Sequence, residues 1–186
     1  SAASDVYKRQ TIYTMELDNP VPEVLHEEYQ ADVELLDMTY NYADSTMYVL
    51  AASGLRSAAV FTLDTETGAV ALRTAITGMN LAATTLAIDA NGNAYCTELY
   101  TDRLYSLNLT TGEATVIGSI TDGETGEALV GARNLSLTFD LNTGRLFWAR
   151  YYYDGTTQVT ADGLYEINPV NAKANYLGDL GGRQIT

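Results

Sequence analysis

Short alternations of apolar and polar side chains run along the chain, interrupted by glycine, asparagine and aspartate. The most legible stretch is Leu104-Tyr105-Ser106-Leu107-Asn108-Leu109, followed by Thr110-Thr111-Gly112. Tyr105, Leu107 and Leu109 fall on one side of an extended chain and Ser106 and Asn108 on the other, as in a strand with one buried face. Gly112 can take the positive φ that a tight reversal needs, and a second strand leaves at Ala114 to Ile117. The same pattern returns at Val60 to Ala71, at Leu164 to Asn175 and, in shortened form, from Ile12 to Leu17. The leading aromatics Tyr13, Phe61, Tyr105 and Tyr165 are separated by 48, 44 and 60 residues.

A second set of matches precedes each hairpin: Met38-Thr39-Tyr40-Asn41, Leu86-Ala87-Ile88-Asp89 and Leu137-Thr138-Phe139-Asp140. Each leads through a polar turn into a further strand, at Met47 to Leu50, Ala94 to Thr97 and Leu146 to Ala149. Every unit thus holds four short hairpin-connected strands, which is the blade of a β-propeller. A β-sandwich has no reason to repeat its sequence, and a parallel β-helix is not built from hairpins. The expected class is all-β: a partial β-propeller of about three and a half four-stranded antiparallel blades. One half-blade is expected over 11–28 and whole blades near 33–77, 82–120 and 133–180. Closed propellers typically need four to eight blades. The segment over 11–186 is therefore expected to be an open arc, with missing blades of the same parent chain as its neighbours. Two insertions, Ile120 to Val130 at a seam and Tyr151 to Asp162 within the last blade, read as loops suited to binding.

Ser1 to Gln10 (SAASDVYKRQ) match the in-frame translation of a transposase sequencing adapter, so residues 1–10 are set aside as non-native. The expectation is a fragment of environmental DNA that starts within a gene.

Composition changes the picture in three ways. A formal net charge of −14 disfavours nucleic acid and anionic membrane surfaces as partners. No apolar run is long enough to cross a bilayer, so no membrane insertion is expected. A single cysteine rules out an internal disulfide framework or a cysteine-based zinc site. The lysine-poor, tyrosine- and threonine-rich make-up leans towards an extracellular or cell-surface setting.

The run Leu86-Ala87-Ile88-Asp89, then Asn91-Gly92, Ala94-Tyr95 and Leu104 to Gly118, resembles the blade repeats of secreted bacterial propellers of the YVTN and surface-layer type. The resemblance covers about 11–186 and is carried by core and turn residues. It implies an arc inside a large cell-surface protein, of the kind found in gut Firmicutes beside immunoglobulin-like and anchoring modules. The Gly-His and Trp-Asp pairing of WD40 repeats and the Ser-x-Asp-x-Gly-x-x-Trp turn of sialidases are missing.

Few residues carry recognisable chemistry. His26 reads as an exposed surface histidine at the edge of the half-blade, and Cys96 as a small core residue. Asp89-x-Asn91-x-Asn93 and Asp140-x-Asn142-x-Gly144 space oxygens as a calcium loop does, but no bidentate Glu follows. Asp and Asn also close turns on their own backbone, so no cofactor is expected and calcium is the alternative. Asn41, Asp89 and Asp140 end the innermost strands and are the channel candidates. Trp148, Tyr151, Tyr152 and Tyr153 form the densest aromatic cluster and are the binding candidates, since flat rings stack on sugars or anchor proteins. Alternate rings on a strand face opposite sides, so some of the four are expected in the core instead. No catalytic residue is assigned. The first expectation is a non-catalytic extracellular module that binds or scaffolds protein or glycan. The alternative is part of a lactonase- or hydrolase-like propeller enzyme with its site in the central channel.

Overall fold

The structure is a computed structural model that describes residues 10–18, 20–28, 33–129, 133–153 and 160–181. Strands β1 (Gln10–Thr14) and β2 (Glu23–Glu28) form a two-stranded antiparallel sheet. The next sheet is β3 (Glu34–Asn41), β4 (Thr46–Ser53), β5 (Ser57–Leu63) and β6 (Val70–Ala75), paired in chain order. The third is β7 (Ala83–Ile88), β8 (Ala94–Glu98), β9 (Arg103–Leu107) and β10 (Ala114–Ser119). After the short β11 (Thr121–Asp122) come β12 (Arg133–Asp140), β13 (Arg145–Tyr153), β14 (Thr160–Ile167) and β15 (Lys173–Gly178). They form a sheet in which β11 is added to the outer edge beside β15.

The first strands of successive sheets touch, β3 against β7 and β7 against β12, so these strands form the innermost row. The sheets stack face to face around it. Leu86, Ile88, Cys96, Tyr105 and Leu107 of the third sheet pack on Tyr48, Leu50 and Val60 of the second. Its opposite face, through Ala87 and Leu104, packs on Leu137, Leu146, Trp148 and Ile167 of the fourth. Four-stranded antiparallel sheets stacked around a row of inner strands are propeller blades. The chain is a partial β-propeller.

The repeat extends to irregularities. Tyr13, Phe61, Tyr105 and Tyr165 pair with Val24, Leu72, Val116 and Tyr176. In all four sheets the next residue of the outer strand (Leu25, Arg73, Ile117 or Leu177) is skipped by the register. The innermost strands share a second bulge, at Leu36, Thr84 and Leu135. Bulges re-aim a strand and increase its twist, so the blades bend at matching positions.

Two sequence expectations change. Adjacent Leu104 and Tyr105 are both buried, although alternation assigned a single face to the core. Stacked blades bury both faces of a middle strand, so a polar-looking alternation marks which neighbouring blade a residue meets. The insertions are also structured. Ile120 to Leu129 folds as a hairpin with Thr121 bridged to Ala128, and Asp122 N–H donates to Glu127 O at 2.8 Å. The later insertion lengthens β13 and β14, whose pairing runs out to Tyr153 and Thr160. Its central residues 154–159 lie outside the described residues.

At the two seams after β6 and β10, the chain runs parallel to the next blade's outer strand. Thr77 N–H donates to Gly112 O, and Ala114 N–H donates back to Thr77 O, both at 2.9 Å. Thr121 N–H meets Ala172 O at 3.2 Å in the equivalent place. Gly112 has φ 77° and Ala172 φ 58°. A Cβ on Gly112 would lie 1.9 Å from Ala75 O, and one on Gly68 would lie 1.9 Å from Leu25 O. At positions 68 and 112 the glycine is therefore required by the blade behind it as well as by the turn.

Candidate functional site

The inner-strand ends come first, because propeller channels open there. Asn41 Oδ1 accepts from Ala43 N–H at 3.0 Å. Asp89 Oδ1 accepts from the N–H groups of Asn91 and Asn93 at 2.9 and 2.8 Å, and its Oδ2 from Asn93 Nδ2 at 2.8 Å. Asp140 accepts from Asn142 N–H at 3.0 Å and from the Thr143 hydroxyl at 2.6 Å. The Thr143 hydroxyl and the turn N–H groups hold its carboxyl below the usual range. These side chains close the turn between the first and second strands of each blade. The hairpins repeat the device, with Asp64, Asn108, Asp122 and Asn168 each accepting a turn N–H two residues on. The oxygens of Asp89 and Asp140 thus bond within their own turns. Among the described residues no cluster of three or more His, Cys, Asp or Glu is arranged to hold a metal ion.

The aromatic candidates separate. Trp148 is 0% exposed, paired with Leu137 and Tyr165 and 5.6 Å from the Tyr165 ring centroid. It is a core residue and offers no face to a ligand, a correction to the binding assignment. The reason is its place in the second strand of a blade, where stacking buries both faces. Tyr151 is half-buried on the extended part of β13. Tyr152 and Tyr153 also belong to that strand, but their side chains lie outside the described residues. His26 is half-buried rather than exposed, with Nδ1 3.1 Å from Gly68 O. A carbonyl can only accept, so Nδ1 carries the proton and the ring clamps the half-blade to the next hairpin. Cys96 is fully buried, and burial pushes its thiol up to about 12, which makes it inert as a nucleophile.

Two acidic residues that sequence reasoning passed over organise the interior. Glu98, 0% exposed at the end of β8, accepts from Asn80 and Leu81 N–H at 2.7 and 2.9 Å. It also accepts from the hydroxyls of Tyr105, at 3.1 Å, and Thr101. Burial raises its carboxyl, but these donors together hold it below the ordinary value. Asp37 lies just after the β3 bulge and accepts from Leu86 N–H of the next inner strand at 2.9 Å. Burial outweighs its two backbone donors and lifts its carboxyl to about 6. The only sequence hint at Asp37 is a carboxylate inside an apolar run, Leu35-Leu36-Asp37-Met38.

One groove of about 570 Å³ lies on the face formed by these turns, between the second and third sheets. Asn41, Asp44, Arg73, Tyr95, Asn108 and Glu113 line it, so one of the three channel candidates contributes. Arg73 is held across the seam by donating from Nε to Leu109 O at 3.2 Å. The wall mixes donors, acceptors and a tyrosine ring. That mixture suits hydrogen bonding and stacking to a polyhydroxylated or peptide ligand, and Tyr48 also lines the groove, its hydroxyl donating to Asp44 Oδ2 at 2.8 Å.

No protein-family model matches the chain, and no curated protein matches it in sequence. Solved structures match it in fold. A putative 6-phosphogluconolactonase from Bacteroides uniformis is similar at 16% identity and TM-score 0.50, over 95% of this chain and 48% of its own. A GH43 β-1,3-galactosidase solved with galactodeoxynojirimycin is similar at 13% identity and TM-score 0.51, over 78% and 46%. An auxiliary nutrient binding protein from Bacteroides thetaiotaomicron is similar at 11% identity and TM-score 0.51, over 87% and 37%. The chain spans half or less of each, and at these identities the likeness concerns fold alone. Among the described residues no helix is long and apolar enough to cross a membrane.

Proposed function

We propose that the chain is a non-catalytic extracellular or cell-surface propeller module that binds or scaffolds protein or glycan. The observation that carries this reading is the state of the inner-strand ends. The oxygens of Asn41, Asp89 and Asp140 are engaged by their own turns, which leaves the polar groove as the surface for recognition. Fold neighbours include an auxiliary nutrient binding protein from Bacteroides thetaiotaomicron, which fits this setting. The net charge of −14 directs recognition towards neutral or basic surfaces. The test is a glycan array and protein pull-down with the purified chain, repeated with Arg73→Ala. Binding that weakens in the variant, with no hydrolysis of lactones or esters, is expected. Turnover of a lactone or ester by the unaltered chain would end this reading.

A second reading is supported by Asp37. A carboxyl raised to about 6 on an innermost strand is poised for proton transfer near neutrality, and the fold neighbours include a putative lactonase and a galactosidase. Under it, the chain contributes part of an enzyme site in the central channel. Asp37→Asn, and Asp89→Asn combined with Asp140→Asn, should then abolish turnover. Under the first reading the same changes leave ligand binding intact.

A further inference from the structure

We infer that the groove between the second and third sheets is a subsite for a neutral saccharide, read through two adjacent hydroxyls by Arg73 and Asp44. This rests on the groove being the recognition surface and names what it takes. Arg73 breaks the repeat. It is the residue skipped at the outer-strand bulge of the second sheet, and its counterparts Leu25, Ile117 and Leu177 are all aliphatic. Leu25 and Ile117 are half-buried, whereas Arg73 is exposed. At the next seam the counterparts of Arg73 and Tyr48, which are Ile117 and Tyr95, belong with Phe139 to one apolar cluster. The Tyr95 and Phe139 rings there lie 5.4 Å apart. Between the second and third sheets the same two positions instead border an open groove of about 570 Å³. Places where a chain departs from its own structural rule are where function is expected.

The guanidinium is anchored at one atom only. Its Nε donates to Leu109 O of the facing hairpin at 3.2 Å, and among the described residues its two Nη groups have no hydrogen-bond partner. An arginine held in this way offers a planar pair of donors. Asp44 supplies the matching acceptor. Its Oδ1 accepts from Thr46 N–H at 3.1 Å and its Oδ2 from the Tyr48 hydroxyl at 2.8 Å. These bonds fix the carboxylate and leave accepting capacity on both oxygens. Burial and Asp44 raise the Tyr48 hydroxyl while Arg73 opposes them, so both charges act on one hydroxyl. Asn93, Asn108 and Glu113 of the third sheet line the other wall.

This set of groups selects a ligand class. An anion would meet Asp44 and Glu113, and a cation would meet Arg73. A sugar hydroxyl both donates and accepts, so two neighbouring hydroxyls can take bonds from the Nη pair and return them to Asp44. A peptide needs apolar pockets for its anchoring side chains. Here the aliphatic lining is limited to Leu109, Ala94 and Leu107, and the last two are buried. The volume is that of a small-ligand site.

The test is calorimetric titration of the full chain with neutral gluco-, galacto-, manno-, xylo- and arabino-oligosaccharides, and with oligogalacturonate as the charged control. At least one neutral sugar should bind saturably, and oligogalacturonate should bind more weakly. Arg73→Ile installs the residue that the third sheet carries, so the urea midpoint should hold. Affinity should fall at least about tenfold, the loss expected for hydrogen bonds to a charged group. Arg73→Lys keeps the charge without the fork and should stay at least about threefold weaker than the unaltered chain. Sugar binding unmoved by Arg73→Ile would place the sugar on another surface and overturn both this inference and the reading of the groove. Capture of a protein that depends on Arg73, with no sugar bound, would keep the groove as the recognition surface and overturn the saccharide alone. Tighter binding of oligogalacturonate, or no sugar bound at all, overturns the saccharide as well.

Discussion

Replacing Gly112 with alanine separates two reasons for a hairpin glycine. The first is conformational: at φ 77° a Cβ approaches the following carbonyl, which costs about 1–2 kcal/mol. The second is positional. The added carbon would lie 1.9 Å from Ala75 O and 2.6 Å from Thr74 Oγ1, so the hairpin must withdraw from the neighbouring blade. Withdrawal strains the paired bonds between Thr77 and the hairpin. Forced repacking of this kind typically costs about 1–3 kcal/mol. Gly112→Ala should therefore cost about 3 kcal/mol in total. Gly144 is the internal control, because its φ is 70° and nothing lies within 4 Å of its virtual Cβ. Gly144→Ala should cost about 1 kcal/mol, the conformational part alone. Urea denaturation followed by far-ultraviolet circular dichroism measures both. Equal losses in the two variants would refute the claim that the seam, and not only the turn, requires glycine at position 112.

Other perturbations test the interior. Asp37 has a carboxyl raised from 3.8 to about 6, so the folded state holds its proton longer than the unfolded chain does. Stability should be full below pH 4 and decline as pH rises through 6, by at most about 3 kcal/mol. Asp37→Asn should remove that decline in denaturation curves measured between pH 4 and 8. Glu98 is lowered, so its contribution runs the other way: present at neutral pH and lost in acid. Glu98→Gln should destabilise the fold at pH 7 by about 1–3 kcal/mol, because an amide cannot serve all four donors, and the loss should shrink in acid. Trp148→Ala should cost about 3–5 kcal/mol by leaving a cavity in the seam between the third and fourth sheets, read as a lowered thermal midpoint.

Much of the fold was legible because a propeller blade is a local object. Hairpin glycines, alternation and recurring turn residues all lie within a few residues of what they determine, so the four copies could be aligned by eye. What alternation could not show was the second neighbour. Nothing in Leu104-Tyr105 says that both side chains are buried, since that depends on blades approaching from either side. The same blindness left Trp148 divided between ligand platform and core, and its strand position between two blades makes it core. The seam hairpin had a usable signal. Asp122-x-x-x-Gly126-Glu127 copies Asn108-x-x-x-Gly112-Glu113, and both close with the same pair of backbone bonds. Glu98 and Asp37 had almost none, because a carboxylate's worth depends on donors brought in by loops and strands far along the chain.

Ala172 is the departure that explains the rule. It occupies the hairpin position of Gly68 and Gly112, keeps a left-handed φ of 58° and is fully buried at the seam, yet carries a Cβ. The outer strand behind it is different. Register places Gly118 where the second blade has Thr74, and the Ala172 Cβ lies 3.5 Å from where a Gly118 Cβ would be. The carbon missing from one side of the seam is present on the other. The Ala172 N–H still donates to Asn168 O at 2.9 Å, and Thr121 N–H still meets Ala172 O at 3.2 Å, so the hairpin bond and this seam bond persist without glycine. Glycine is therefore the usual but not obligatory residue at this hairpin position. A residue-by-residue repeat would miss this. A search for further blades should weigh the hairpin residue together with its partner on the preceding outer strand, because sterics constrain the pair and leave each member free to change.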